Sequence, residues 1–214
     1  MFSLGLPFYS MGIWESYIID EVPNGEIKMT NKYSPINLWF GIIQAFTVLG
    51  LFINKQNNNA VEALIIFVGF YVFIYFENKS TLRLENHIRI LVMLTIIANN
   101  LIGHLFNAYS ANFFDKALHI FGTFSFTLFA FSVLNKLFNP IFKSKWFMFI
   151  VILVLGVSIG TIYEIIEFVQ DSLFSTNNQT GLKDTNWDLV ADITGAFLAA
   201  VYIMLYKKNH QMLW

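Results

Sequence analysis

Ionisable residues at helical spacing mark the second half of the chain. Asp115 and His119 are four residues apart, Glu164 and Glu167 three apart, and Asp184, Asp188 and Asp192 recur every four. On a helix, residues at i+3 and i+4 lie about 5–6 Å apart, so each group shares one face wherever its segment is helical. Carboxylates joined by one or two imidazoles form an oxygen-rich ligand set that suits Mg²⁺, Mn²⁺ or Ca²⁺. His119 and His104 extend that set to Zn²⁺ or Fe²⁺. The chain has no cysteine, which removes thiolate metal sites, disulfides and a cysteine nucleophile. The expected divalent-metal ligands are Asp115, His119, Glu164, Glu167, Asp188 and Asp192. His119, His104 and Glu164 are the candidate catalytic groups for proton transfer. The set does not match a fixed zinc signature such as H-E-x-x-H.

The elements that must position these groups are membrane helices. Of the 214 residues, 56% are hydrophobic and only 13% charged, and mean hydropathy is +0.57. A soluble domain carries about 25% charged residues, so lipid takes the place of water over much of this surface. A spanning helix needs roughly 20 mostly apolar residues. Six runs qualify: Ile36–Ile53, Ala60–Phe76, Ile88–Phe106, Leu118–Phe138, Trp146–Val169 and Leu189–Tyr206. The fold class is therefore all-α, a polytopic bundle over residues 36–206. An aromatic, amphipathic interfacial segment precedes it in residues 1–35, and a cytoplasmic tail follows in residues 207–214. Phe2–Ile19 lies in the interface or forms an extra helix. The N-terminus lacks a basic n-region and is not a good signal peptide. The first two spans read as plain lipid-facing anchors, and residues 171–187 read as a polar loop.

Basic loop residues set the orientation. The side that holds both termini collects Lys28, Lys32, Lys79, Arg83, Arg89, Lys136, Lys143, Lys145, Lys207 and Lys208, and the other side has Lys55, Lys116 and Lys183. The termini are thus expected in the cytoplasm, with His87, Arg83 and Arg89 in a cytoplasmic loop. On that topology the third span ends, the fourth begins, the fifth ends and the sixth begins at one level near the outer interface. Asn99, Asn100 and His104, Asp115 and His119, Glu164 and Glu167, and Asp184 to Asp192 all meet there. Some have plainer readings. Asp115, Asp184 and Asp188 can cap helices, Asp171 can face water, and Lys116 can simply pair with Asp115. Glu164 and Asp192 lie inside apolar runs, where an acid is functional by default. So many carboxylates need protonation, a cation or a bound metal, and Lys116 and Lys183 are the only cations at this level. Gly156 and Gly160, with Gly195, Ala196, Ala199 and Ala200, offer close helix packing.

Three elements carry a family resemblance. Asp115-Lys116-Ala117-Leu118-His119-Ile120-Phe121-Gly122 resembles the D-K-x-x-H-x-x-G element of YjdF-like membrane proteins and, more loosely, of VanZ-like proteins. Tyr163-Glu164-Ile165-Ile166-Glu167 resembles the Y-E-x-x-E element of the YjdF-like proteins. The run from Asp184 through Asp188 and Asp192 to Gly195-Ala196 resembles the D-x-x-x-D-[ML]-x-x-[DN]-x-x-G-A ending. Order and spacing agree across Asn100–Ala200, about half the chain. The VanZ-like pattern has one acid followed by Gln where this chain has two glutamates. The resemblance implies a small multi-helix bacterial membrane protein. The association of VanZ-like proteins with glycopeptide resistance implies the outer leaflet and cell-envelope precursors.

The leading functional expectation is a divalent-metal-dependent hydrolase or transferase acting on a lipid-linked substrate, with membrane lipids as partners. The alternatives are an ion- or proton-coupled transporter and a non-catalytic, metal-stabilised envelope subunit. Scattered basic residues and a net charge of −1 argue against nucleic acid as a partner. The absence of a phosphate-binding loop argues against ATP-driven work.

Overall fold

The computed structural model describes residues 18–21, 27–30, 35–80, 82 and 84–209. They form two compact units, one up to Gly41 and one from Ile42 onward. In the first unit, β1 (Ile18–Glu21) and β2 (Ile27–Thr30) pair antiparallel, with Ile18 opposite Thr30 and Asp20 opposite Lys28. Of the expected interfacial stretch Phe2–Ile19, only Ile18 and Ile19 fall within the described residues, and both are in β1.

The six expected spans are helical: α1 (Pro35–Ile53), α2 (Asn57–Lys79), α3 (Asn86–Ile97), α4 (Asn112–Phe138), α5 (Lys145–Phe174) and α6 (Leu182–Asn209). The all-helical bundle thus holds, with the short hairpin ahead of it. Each span is long and apolar enough to cross a membrane, α3 being extended by a π-helix over Ala98–Leu105. Large apolar side chains such as Phe46, Leu49, Ile65 and Val154 are exposed, as helices bathed in lipid require.

Two boundaries differ from the hydropathy reading in a way that matters. α4 begins at Asn112 and α6 at Leu182, so Asp115, Asp184 and Asp188 are helical and share faces with His119 and Asp192. Charged first turns mask such starts. The expected loop 171–187 shrinks accordingly. Asp171 lies within α5 and ties the chain that follows, accepting from Thr176 Oγ1 at 2.6 Å, Asn178 N at 2.8 Å and Gln179 N at 2.8 Å. At the other terminus, α6 takes in Lys207–Asn209, the first residues of the expected tail.

Small residues let α4, α5 and α6 close on one another. A Cβ added at Gly156 would meet Ala196 Cβ at 2.5 Å, and one at Gly160 would meet the Asp192 carboxyl at 2.5 Å. Gly195 sits against the backbone of Ile120 and Phe124 on α4. Leu128, Met148, Ile152, Ala199 and Ala200 fill the core between these helices. α1, α2 and the π-helix meet separately through Leu51, Ala60, Ala63 and Leu105.

The end of the bundle where α2 stops and α3 starts holds a closed ion pair. Arg89 Nη2 donates to Glu77 Oε1 at 2.7 Å and Oε2 at 2.9 Å, and Leu84 N also donates to Oε1 at 2.7 Å. Arg89 is therefore a buried helix residue, not the loop cation that its basic neighbourhood suggests. Nearby, Glu85 accepts from Ser132 at 2.7 Å and pairs with Lys136 at 3.0 Å. Burial opposes its charge, but these two donors prevail and hold the carboxyl below its usual range. His87 packs beside the Tyr202 and Tyr206 rings, and Arg83 lies outside the described residues.

Candidate metal centre

His119 is the hub of the opposite end. It is 6% exposed and lies one helical turn after Asp115 on α4. Its Nε2 faces Asp115 Oδ1 and Asp188 Oδ1, each at 3.7 Å. Its Nδ1 faces Asp192 Oδ1 at 3.2 Å and Glu164 Oε1 at 3.8 Å. The imidazole therefore has acids from α5 and α6 on one nitrogen and acids from α4 and α6 on the other. Two sets place ligand atoms within 4.8 Å of one another: Asp115, His119 and Asp188, and His119, Glu164 and Glu167. The other five sequence-derived ligands all lie around this one ring.

The charges around it are only partly compensated. Lys116 Nζ reaches Asp184 Oδ1 at 2.5 Å, Asp188 Oδ1 at 2.6 Å and Asp115 Oδ2 at 2.9 Å. It therefore serves three aspartates rather than Asp115 alone. Lys183 is exposed and makes no ion pair among the described residues. Thr123 donates to Asp192 Oδ1 at 2.5 Å, and Gln179 Nε2 donates to Glu164 Oε2 at 2.9 Å. Asp188 Oδ1 has Lys116, which it shares with Asp115 and Asp184, and after these bonds Glu164 Oε1 and Asp192 Oδ2 are buried with no hydrogen-bond donor among the described residues. Such atoms are costly unless something else fills them, because each has lost its water. A divalent cation fits this donor set: oxygens in the majority, one imidazole, and too few protein cations.

The π-helix closes the site from α3. Its wider turns bury Asn99, Asn100 and Gly103 together. Asn99 donates to Asn100 Oδ1 at 3.0 Å, Asn100 donates to Gln44 Oε1 on α1 at 3.1 Å, and the Tyr109 hydroxyl donates to Asn99 Oδ1. Burial, then the charges of Asp115 and Glu167, push the Tyr109 phenol well above its usual ionisation range and keep it a donor. Asn107, with φ 57°, turns the chain out of the π-helix toward α4 in the left-handed region that asparagine tolerates.

His104 is not brought into the acid cluster. Its ring packs on Tyr109 at 4.9 Å and lines a polar chamber of about 890 Å³. Asp115, Lys116, Glu167 and Asp184 line the same chamber. So does Glu62 on α2, which accepts from Gln170 at 3.4 Å. The first two spans are thus not plain anchors, since Gln44 and Glu62 both face this end. Sequence reading passed over both residues, together with Thr123, Tyr109 and Gln179. For Gln44 and Glu62 the available signal is an amide and an acid inside apolar runs, and Tyr109 and Gln179 lie outside the runs altogether.

A bundle of six spans with a buried acidic cluster at one end defines a polytopic helical membrane protein. The chain belongs to the family described as predicted membrane protein (DUF2238), whose model matches residues 36–209. It is similar to an uncharacterized protein of Thermotoga maritima, 29% identical over 153 residues, which cover 68% of this chain and 76% of that protein. No solved structure matches the chain. Of the resemblance drawn from the sequence, the membrane-protein family is what these matches bear out.

Proposed function

We propose that the protein holds a divalent metal ion between α4, α5 and α6 and acts with it on the headgroup of a lipid-linked substrate, as a hydrolase or transferase. The observation that carries this is the pair of buried carboxylate oxygens without donors beside His119, Glu164 Oε1 and Asp192 Oδ2, within a cluster of six acids that shares one lysine. Asp115, His119 and Asp188 form one ligand set and His119, Glu164 and Glu167 the other, with Asp192 on the Nδ1 side. A bound ion there supplies Lewis acidity toward a phosphoryl or acyl oxygen and acidifies a bound water. Lys116, at the chamber wall, presents a fixed positive charge to an anionic headgroup. A Glu164 carboxylate not engaged with the ion is positioned to take a proton, and His104 and Tyr109 line the way out to the chamber. The YjdF-like and VanZ-like resemblance supports a site at the outer leaflet, with termini in the cytoplasm and an envelope precursor as substrate.

The test is metal content by elemental analysis of purified wild type, Glu164→Ala and Asp192→Ala. We expect a stoichiometric divalent ion in the wild type, lost in both variants. If the wild type holds none while both variants fold, the metal reading is gone. Proton or cation coupling through the same buried acids then becomes the better account.

A further inference from the structure

Below the acid cluster lies a second cavity, of about 470 Å³ and almost wholly apolar. Glu62, Tyr109 and Tyr163 border both it and the polar chamber, and His119 and Asp192 form its roof. Away from the roof its walls are Ile66, Phe70, Val92, Ile96 and Phe126, and Leu84 and Arg89 stand at the far end. Its lining runs from Asn99 on the π-helix to Arg89 on α3 and from His119 to Phe129 on α4. At 1.5 Å per residue both stretches are about 15 Å long. That is about half of the roughly 30 Å hydrocarbon core, the depth of one leaflet. Ile162 and Ile166 line the cavity yet are 57% and 46% exposed, so it communicates sideways with the lipid-facing surface.

We propose that this cavity seats a single hydrocarbon chain of the substrate, placing its phosphate at Lys116 and the acid–histidine cluster. Shape and polarity support it: a dry slot one leaflet deep joins a charged chamber at the level where a headgroup meets its chain. A membrane lipid fits both compartments without leaving its own leaflet, whereas a water-soluble substrate leaves the slot unused. The proposal rests on the metal-site reading for the chemistry at the headgroup, not for the seat of the chain.

Gly69 supplies the lever. It lies on the cavity face of α2, on the same stripe as Glu62, Ile66 and Phe73, and a Cβ there would meet nothing within 4 Å. Gly69→Leu therefore projects a side chain into the slot from a position where its Cβ meets no neighbour, and Phe126→Ala enlarges it. The experiment uses phosphatidylcholine vesicles containing the protein, doped with phosphatidic acid or with a polyprenyl phosphate, each carrying a diazirine near the chain end. Labelled peptides are quantified by mass spectrometry.

The expected result is labelling of Ile96 and Phe126 at least fivefold above Phe46 and Leu49 on the outer face of α1. We expect Gly69→Leu to cut it at least fivefold, and Phe126→Ala to shift capture toward longer chains. The probe captured more strongly names the source of the phosphate. Uniform labelling of all outward faces overturns the proposal, as does undiminished labelling in a folded Gly69→Leu protein. Metal content of the wild-type protein in the same vesicles separates the two readings. Chain labelling without bound metal sinks the metal site and leaves the seat standing, and stoichiometric metal with uniform labelling does the reverse.

Discussion

The two ends of this bundle both bury carboxylates, but they compensate them in opposite ways. Where α2 ends and α3 begins, Glu77 has a guanidinium on both oxygens and a backbone donor as well. Glu85 close by has a serine and a lysine. Where α5 ends and α6 begins, six acids surround Lys116 and His119, and two buried oxygens, on Glu164 and Asp192, have no donor. A carboxylate closed in this way behaves as a lock, since both of its oxygens are already taken. An open cluster leaves a deficit of positive charge that an incoming cation can meet. The same residue type at similar depth is therefore structural at one end and available at the other.

The comparison breaks most visibly at the lock. Arg89→Ala strands Glu77 in apolar surroundings and should cost about 3–5 kcal/mol. Denaturant or thermal unfolding in detergent reads this directly, and a loss under about 1 kcal/mol would mean that Glu77 finds another partner. At the open end, Gly160→Ala drives a methyl into the Asp192 carboxyl. It should cost about 1–3 kcal/mol and lower metal occupancy, while Gly69→Ala, with open space around it, costs nothing and keeps the ion. Finest of all is a difference in sign. In metal-stripped protein, Glu164→Gln should raise stability by about 1 kcal/mol by removing an unsatisfied charge, whereas Glu77→Gln should lower it. Equal signs in the two variants would show that the ends are not distinct.

Much of this was legible in the sequence because the membrane enforces it. Six apolar runs can only be helices, and their alternation brings the end of α3, the start of α4, the end of α5 and the start of α6 to one level. The spacing of Asp115 and His119, and of Asp188 and Asp192, then fixes shared faces once the helices begin early enough. What stayed hidden depends on contacts that have no period. Glu62 near the start of α2 reads as a solvated first turn, and Gln44 as a single blemish in an apolar run. Arg89 sits among cations that obey the positive-inside rule, so nothing local marks it as the partner of Glu77 twelve residues earlier. Gln179 reaches Glu164 only because Asp171 folds the intervening chain back.

The π-helix at 98–105 bears on how this chain can vary. Its turns hold one residue more than α-turns, so it acts as a register spacer between the regular part of α3 and everything that follows. Removing any single residue there would give a continuous α-helix of nearly the same apolar length, invisible to a hydropathy profile. Because the π-turn absorbs the extra residue, that deletion would leave His104 and the approach to α4 facing nearly as they do relative to Asn99 and Gln44, whereas converting the π-turn to α without a deletion would rotate them by about 100°. Between relatives, a one-residue gap in this segment is therefore compatible with an unchanged site geometry when the π-turn disappears with it, while a relative of equal length without the π-turn would present a turned site.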